Sequence, residues 1–225
     1  FMQIEASLNA VAEIADNSII GERRRLAIGI ATTIAPVTTA DFWRYVLTQL
    51  PVVELQFFPL LPGEAATEVL SGRYDMCLLT NPPKPNVKLT TLPIYRESLR
   101  LAMASEHPLA RKTEITPVEM SAEPYLDRLH CEFRSTLIKH FMDRNIVMRP
   151  RFHSEREDWV QQMVAIGAGI CALPDRSIIV DGIVLRPVKG LDLSREVSLV
   201  AVSGSGNPRE VRKILSMARQ FDWSL

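Results

Sequence analysis

The stretch Leu26-Ala27-Ile28-Gly29-Ile30, running into Ala31-Thr32-Thr33, decides the fold. A short apolar run that ends on small and hydroxyl residues reads as a buried strand delivering its carboxyl end to a loop. A helix is expected next, over Asp41–Leu50, stopped before Pro51 because proline and the residue ahead of it resist the helical conformation. Val52–Phe58 is β-branched and aromatic, which suits a buried sheet. Pro62-Gly63 opens a second helix over Glu64–Ser71, Gly72 ends it, and Tyr74–Thr80 (YDMCLLT) is a third strand. Strands alternating with helices imply parallel pairing and an α/β lobe.

Working outward, residues 1–20 carry Ile4, Leu8, Val11 and Ile14 at helical spacing, with Glu5, Asn9, Glu13 and Asp16 between them. This narrow stripe reads as an amphipathic helix, either a linker or dimerisation helix or a terminal helix folded back on its own domain. Downstream, Asn81-Pro82-Pro83-Lys84-Pro85 is a stiff loop. Leu89–Tyr95 and Ser98–Ala104 are two extended runs suited to a crossover, and His107-Pro108-Leu109 ends the second. A shorter alternation follows, with strands at Pro124–Leu129, Arg151–His153 and Ile170–Leu173 and helices at Phe133–Arg144 and Asp158–Ile166. Val184–Pro187 is extended, Val197–Val202 is a strand, and Pro208–Phe221 is a terminal helix. The expected division is a linker helix over 1–22, one lobe over 23–97 with 196–225, and a second lobe over 98–195.

Composition narrows the function. Basic and acidic residues balance at 26 each, whereas a module that grips nucleic acid normally carries a basic excess against the phosphates. Cys77, Cys131 and Cys171 are too scattered for a disulfide framework or a zinc site, which suits a reducing cytosol. No apolar run approaches the roughly eighteen residues that read as a membrane span, and no secretory signal is visible. No phosphate-binding glycine loop, metal spacing or nucleophile elbow is present, so neither an enzyme nor a cofactor is expected.

Three motifs, taken in order, carry a resemblance. Leu26-Ala-Ile-Gly-Ile30 follows a helix and precedes a hydroxyl pair; Leu70-Ser-Gly-Arg-Tyr-Asp75 leads into an apolar strand; Met163-Val-Ala-Ile-Gly-Ala-Gly-Ile-Cys-Ala-Leu-Pro174 closes the set. With Ala104-Ser-Glu-His-Pro-Leu109, they resemble the regulatory domain of LysR-type transcriptional regulators, from about residue 20 to the C-terminus. The resemblance implies two Rossmann-like lobes of periplasmic-binding-protein type with an inter-lobe cleft, preceded by the linker helix. It also implies a small-molecule effector, side-by-side pairing with a second copy, tetramers of the full-length protein, and a cytoplasmic location. DNA would be contacted only through an N-terminal helix-turn-helix domain, for which the residues ahead of Leu26 leave no room. The rival reading is a solute-binding protein of a transport system, which shares the two-lobe plan.

Ligands of open α/β sheets sit at strand carboxyl ends, near helix N-termini. Thr32, Thr33, Gly63 and Asn81 fall at such places in the first lobe, and His130, Cys131, Glu132, Phe133, Arg134 and Glu155 in the second. By resemblance, Thr33, Gly63 and the Cys131–Phe133 segment match positions that line the inducer pocket of relatives. Each also has a plainer reading: the threonines as helix caps, Gly63 as a helix start, Arg134 as a solvated charge, and the two glutamates as favourable partners of helix dipoles. Cys131 stands beside His130 and near Arg128 and Arg134, a setting expected to lower a thiol pKa. Its place is similar to that of the reactive cysteine in the peroxide-sensing branch, but His140 stands where that branch has a second cysteine. A disulfide switch is therefore not expected; an ordinary pocket cysteine or a sulfenic acid both stay open.

Overall fold

Arg24–Ala31 forms β1, and its central residues Leu26 and Ile28 are fully buried. The computed structural model describes residues 24–61, 65–82, 88–203 and 207–224, with backbone alone at 65–67. The expected helix over 1–20, Gly63 and the Pro83-Lys84-Pro85 part of the stiff loop lie outside the described residues. After β1 come α1 (Ala40–Gln49), β2 (Val53–Leu60), α2 (Ala65–Leu70) and β3 (Met76–Thr80). β1 pairs in parallel with both β2 and β3, as the alternation requires.

Asp75 locks this arrangement at the head of β3. Its carboxylate accepts from the Ala27 N–H at 2.8 Å, and its own N–H donates to the Ala27 carbonyl at 2.9 Å. The turn ahead of it needs Gly72, whose φ of +77° is left-handed and favours glycine. The Leu70–Asp75 motif thus has a mechanical meaning: a left-handed turn, then a carboxylate stitched across to the neighbouring strand.

β4 (Leu89–Ala104) and β9 (Ser194–Val202) are each one strand shared by two compact units. The first unit comprises the residues up to Tyr95 and those from Glu196; the second is Arg96–Arg195. In the first unit the strand order is β2-β1-β3-β9-β4, with β9 antiparallel to β3. Its core joins Leu26, Ile28, Met76 and Leu199 to α1 and to Val211, Ile214 and Leu215 of α6 (Arg209–Gln220). Phe42, Phe221 and Trp223 close one end, with ring centroids 4.9 to 5.3 Å apart.

In the second unit β4 continues through Leu99–Ala104, antiparallel to β7 (Cys171–Pro174) and β8 (Ile183–Arg186). β5 (Tyr125–Arg128) and β6 (Pro150–Ser154) form a separate parallel pair, flanked by α4 (Arg134–Met142) and α5 (Glu157–Ala165). Two differences from expectation have clear causes. The two extended runs at 89–95 and 98–104 are one strand, because the polar break at Arg96-Glu97 is absorbed: Glu97 is buried against Arg195. A short helix, α3 (Pro117–Ala122), was not expected from the sequence. A capping box starts it, the Thr116 hydroxyl accepting from the Glu119 N–H and the Glu119 carboxylate from the Thr116 N–H.

Gly169 packs so tightly that a Cβ there would collide with the Pro124 carbonyl oxygen and press on Leu126. Gly169→Ala should therefore destabilise the chain by about 1–3 kcal/mol, the usual cost of overpacking. Urea unfolding should show a lower midpoint with an unchanged slope.

Candidate functional site

In the first unit the carboxyl end of β1 turns at Thr32-Thr33 into a 3-10 turn over Pro36–Thr38, and α1 follows. The Thr32 N–H donates to the Leu60 carbonyl at 3.4 Å, while its hydroxyl Oγ1 is buried with no hydrogen-bond partner among the described residues. Thr33 is buried beside it. Neither threonine caps α1, whose N-cap is Thr39 and carries no side-chain cap bond. A buried hydroxyl without a partner costs about 1–3 kcal/mol. Asn81 has a different task. It adopts a left-handed φ of +45°, donates its N–H to the Glu196 carbonyl at 2.8 Å, and accepts from the Glu196 N–H at 3.3 Å. It stitches β3 to β9.

In the second unit the loop from β5 to α4 carries Leu129 to Phe133. Arg128, 1% exposed, anchors its root. Its Nε donates to both carboxylate oxygens of Glu157, at 3.0 and 2.7 Å. Its Nη1 donates to the Ala172 carbonyl at 3.0 Å and contacts the Cys131 sulfur at 3.5 Å. Glu157 sits in the first turn of α5, where the helix dipole also favours it. His130 turns its Nε2 toward the exposed Glu155 carboxylate at 3.7 Å, and its Nδ1 is buried without a partner among the described residues. Glu132 accepts from the fully buried Arg195 at 2.5 Å, and Arg195 also binds Glu97. Two carboxylates thus share one guanidinium, and burial raises the Glu97 carboxyl above its ordinary range, against the pull of Arg195. Phe133 is a core residue. Arg134 spends its fork on Asp127, with three contacts at 2.7 to 3.1 Å, and the His153 Nδ1 meets the same carboxylate at 3.1 Å.

One expectation is overturned. The Cys131 thiol is pushed up, not down: burial dominates, and Arg128 only partly offsets it while Glu132 and Glu157 add to the rise. Cys77 is raised to about 12 by burial, and Cys171 is raised as well. His140 is held below its usual pKa by burial and by Arg144.

Residues 20–222 match the family model of the LysR substrate-binding domain. The chain belongs to that family. It is the effector-binding part of a family of transcriptional regulators, which decides against the transport-protein reading. Its relatives include the hydrogen peroxide-inducible genes activator of Haemophilus influenzae, 22% identical over 186 residues, or 80% of this chain and 61% of that protein. The regulator MetR of Escherichia coli is 30% identical over 124 residues, or 55% of this chain and 39% of that one. The chain therefore spans about 61% of the length of the first of these relatives. Among solved structures, the CcmR regulatory domain of Synechocystis in complex with 2-PG superposes with a TM-score of 0.75 at 17% identity, covering 88% of this chain and 97% of that one. The effector-binding domain of QuiR in complex with shikimate does so with a TM-score of 0.71 at 14% identity, covering 88% of this chain and 97% of that one. These structural likenesses establish the fold shared across the LysR family.

Among the described residues no cluster of His, Cys, Asp and Glu has a metal-binding arrangement, and no helix is long and apolar enough to cross a membrane.

The ion pairs differ sharply in weight. Glu157→Ala leaves Arg128 buried without its carboxylate and should cost about 3–5 kcal/mol. Asp143→Ala breaks only the exposed Lys139–Asp143 pair and should cost less than about 1 kcal/mol. Urea denaturation of the two variants checks the contrast. Because burial raises all three thiols, iodoacetamide at pH 7.5 should alkylate the native chain at least about tenfold more slowly than the urea-unfolded chain.

Proposed function

We propose that this chain is the effector-sensing domain of a LysR-type regulator and binds a small carboxylate-bearing or aromatic metabolite through donors at its strand carboxyl ends. The observation that carries the reading is Thr32: a buried hydroxyl with no partner, standing where a β/α alternation delivers its first strand end. In the second unit His130 Nδ1 offers a comparable buried polar atom on the β5–α4 loop. Arg134 and Asn81 support that loop and that strand edge, with their polar groups already engaged by Asp127 and Glu196. Family membership supports a sensor rather than an enzyme, acting in the cytoplasm on DNA through a domain beyond this chain.

The proposal includes pairing with a second copy, and tetramers of the full-length regulator. Its support is the outer edge of the first unit. There β2 is the edge strand among the described residues, and Leu47, Val52, Phe57 and Phe58 are 40 to 61% exposed. An apolar edge strand left uncovered invites association.

Isothermal titration of the chain against small carboxylates and aromatic acids tests the effector reading. A saturable ligand is expected, with Thr32→Val or His130→Phe weakening it at least about tenfold, or about 1.4 kcal/mol. Melting temperatures without ligand should be at or above that of the unsubstituted chain, because each change removes a buried polar atom that has no partner. A ligand that binds both variants as tightly as the parent chain would contradict the assignment.

A further inference from the structure

Glu97 and Arg195 meet between the neighbouring strands β4 and β9, and Glu132 reaches the same guanidinium from the β5–α4 loop. Arg195 donates through Nε to the Glu97 Oε1 and through Nη1 to the Glu132 Oε1, each at 2.5 Å. Two carboxylates draw on one cation, so the trio carries one more negative charge than its own members can pair. Arg195 is fully buried and Glu97 nearly so. Asp175, just past β7, is a third carboxylate acting on Glu97, and it accepts from the Ser98 N–H at 3.0 Å. The charged groups that face Glu97 are thus Arg195 from β9, Glu132 from the loop and Asp175 from the end of β7. The Glu97 Oε2 is itself buried with no hydrogen-bond partner among the described residues. A desolvated carboxylate oxygen among like charges is neutralised most readily by a proton, which needs no cavity to enter.

That proton changes what holds Arg195. While Glu97 is ionised, the guanidinium is divided between a strand and a loop. Once Glu97 is neutral, its remaining acceptor binds roughly half as strongly as an ionised one. Arg195 then has Glu132 as its full counter-charge, and the bond to the loop strengthens. Glu132 lies two residues beyond His130 on that loop. The sign follows from linkage: burial raises the Glu97 carboxyl in the folded chain, so its contribution to stability is present in acid and is lost as pH rises through the raised value.

We propose that Glu97 is a positioning residue for the β5–α4 loop, and that a proton taken up by its carboxylate tightens the Arg195–Glu132 clamp, so that the loop is held more firmly in weak acid than above neutral pH. The consequence for effector binding rests on the strand-end reading given above: a loop already held in place loses less freedom when His130 meets a ligand.

The test uses the 225-residue chain without any ligand, so failure of the clamp is distinguishable from failure of the effector reading. Hydrogen exchange of the amides of residues 129–134 is measured at pH 5 and pH 8, each rate divided into that of an unstructured peptide at the same pH. Protection of the loop is expected to be at least about threefold higher at pH 5. Glu97→Gln keeps an acceptor for Arg195 and removes the charge, and should show the higher protection at both pH values. Glu132→Gln removes the charge from the loop and should show the lower protection at both. A ¹³C titration of the Glu97 carboxyl in the unsubstituted chain needs no variant to fold, and its midpoint should coincide with that of the protection. Equal loop protection at the two pH values in the unsubstituted chain would overturn the proposal. So would a pH dependence that Glu97→Gln leaves intact, or a Glu97 carboxyl that titrates at the ordinary glutamate value of about 4.3.

Discussion

The second unit is organised around one buried cation. Arg128 ties together pieces of chain that sequence order keeps apart: its own strand β5, the first turn of α5 through Glu157, β7 through the Ala172 carbonyl, and the β5–α4 loop through Cys131. A guanidinium can do this because its donors point in fixed, divergent directions in one plane. Burying it is tolerable only with Glu157 alongside, since an unpaired charge in this environment would dominate the stability of the whole unit. The position of the His130 loop and the low reactivity expected of Cys131 both follow from where this side chain is held.

The first unit depends on a different device. Asp75 fastens β3 to β1 from both its side chain and its backbone, immediately after the left-handed turn at Gly72. That fixes the register of the parallel strands, and with it the place where β1 ends and the buried Thr32 hydroxyl stands. Register matters because a slip of one residue would exchange the buried and outward faces of β1.

Much of this was legible in the residues. Apolar runs separated by helical segments give the α/β class, and the Leu70–Asp75 and Met163–Pro174 motifs point to the LysR family from the sequence alone. What was missed was non-local, with one exception. The pairing of Arg128 with Glu157, 29 residues away, and of Glu97 with Arg195, 98 residues away, cannot be seen along the chain. For the same reason a crowd of basic residues near Cys131 suggests a lowered thiol pKa, when burial, with Glu132 and Glu157 nearby, raises it. The continuity of β4 through Arg96-Glu97 was hidden likewise, because a buried partner makes a charged residue acceptable inside a strand. The exception is α3, whose Thr116-x-x-Glu119 capping box is a local signal carried by the sequence itself. In the candidate site, sequence could mark the strand ends, but only coordinates show that Arg134 and Asn81 are engaged structurally while Thr32 and His130 hold buried polar atoms in reserve.

The central claim is that an effector is read at the strand carboxyl ends. Hydrogen exchange of the backbone amides, with and without a saturating carboxylate effector, tests it most directly. The account predicts that protection rises first at residues 31–35 and 129–134, the segments that carry Thr32 and His130. Protection confined to other parts of the chain, with those two segments unchanged under saturating ligand, would contradict it.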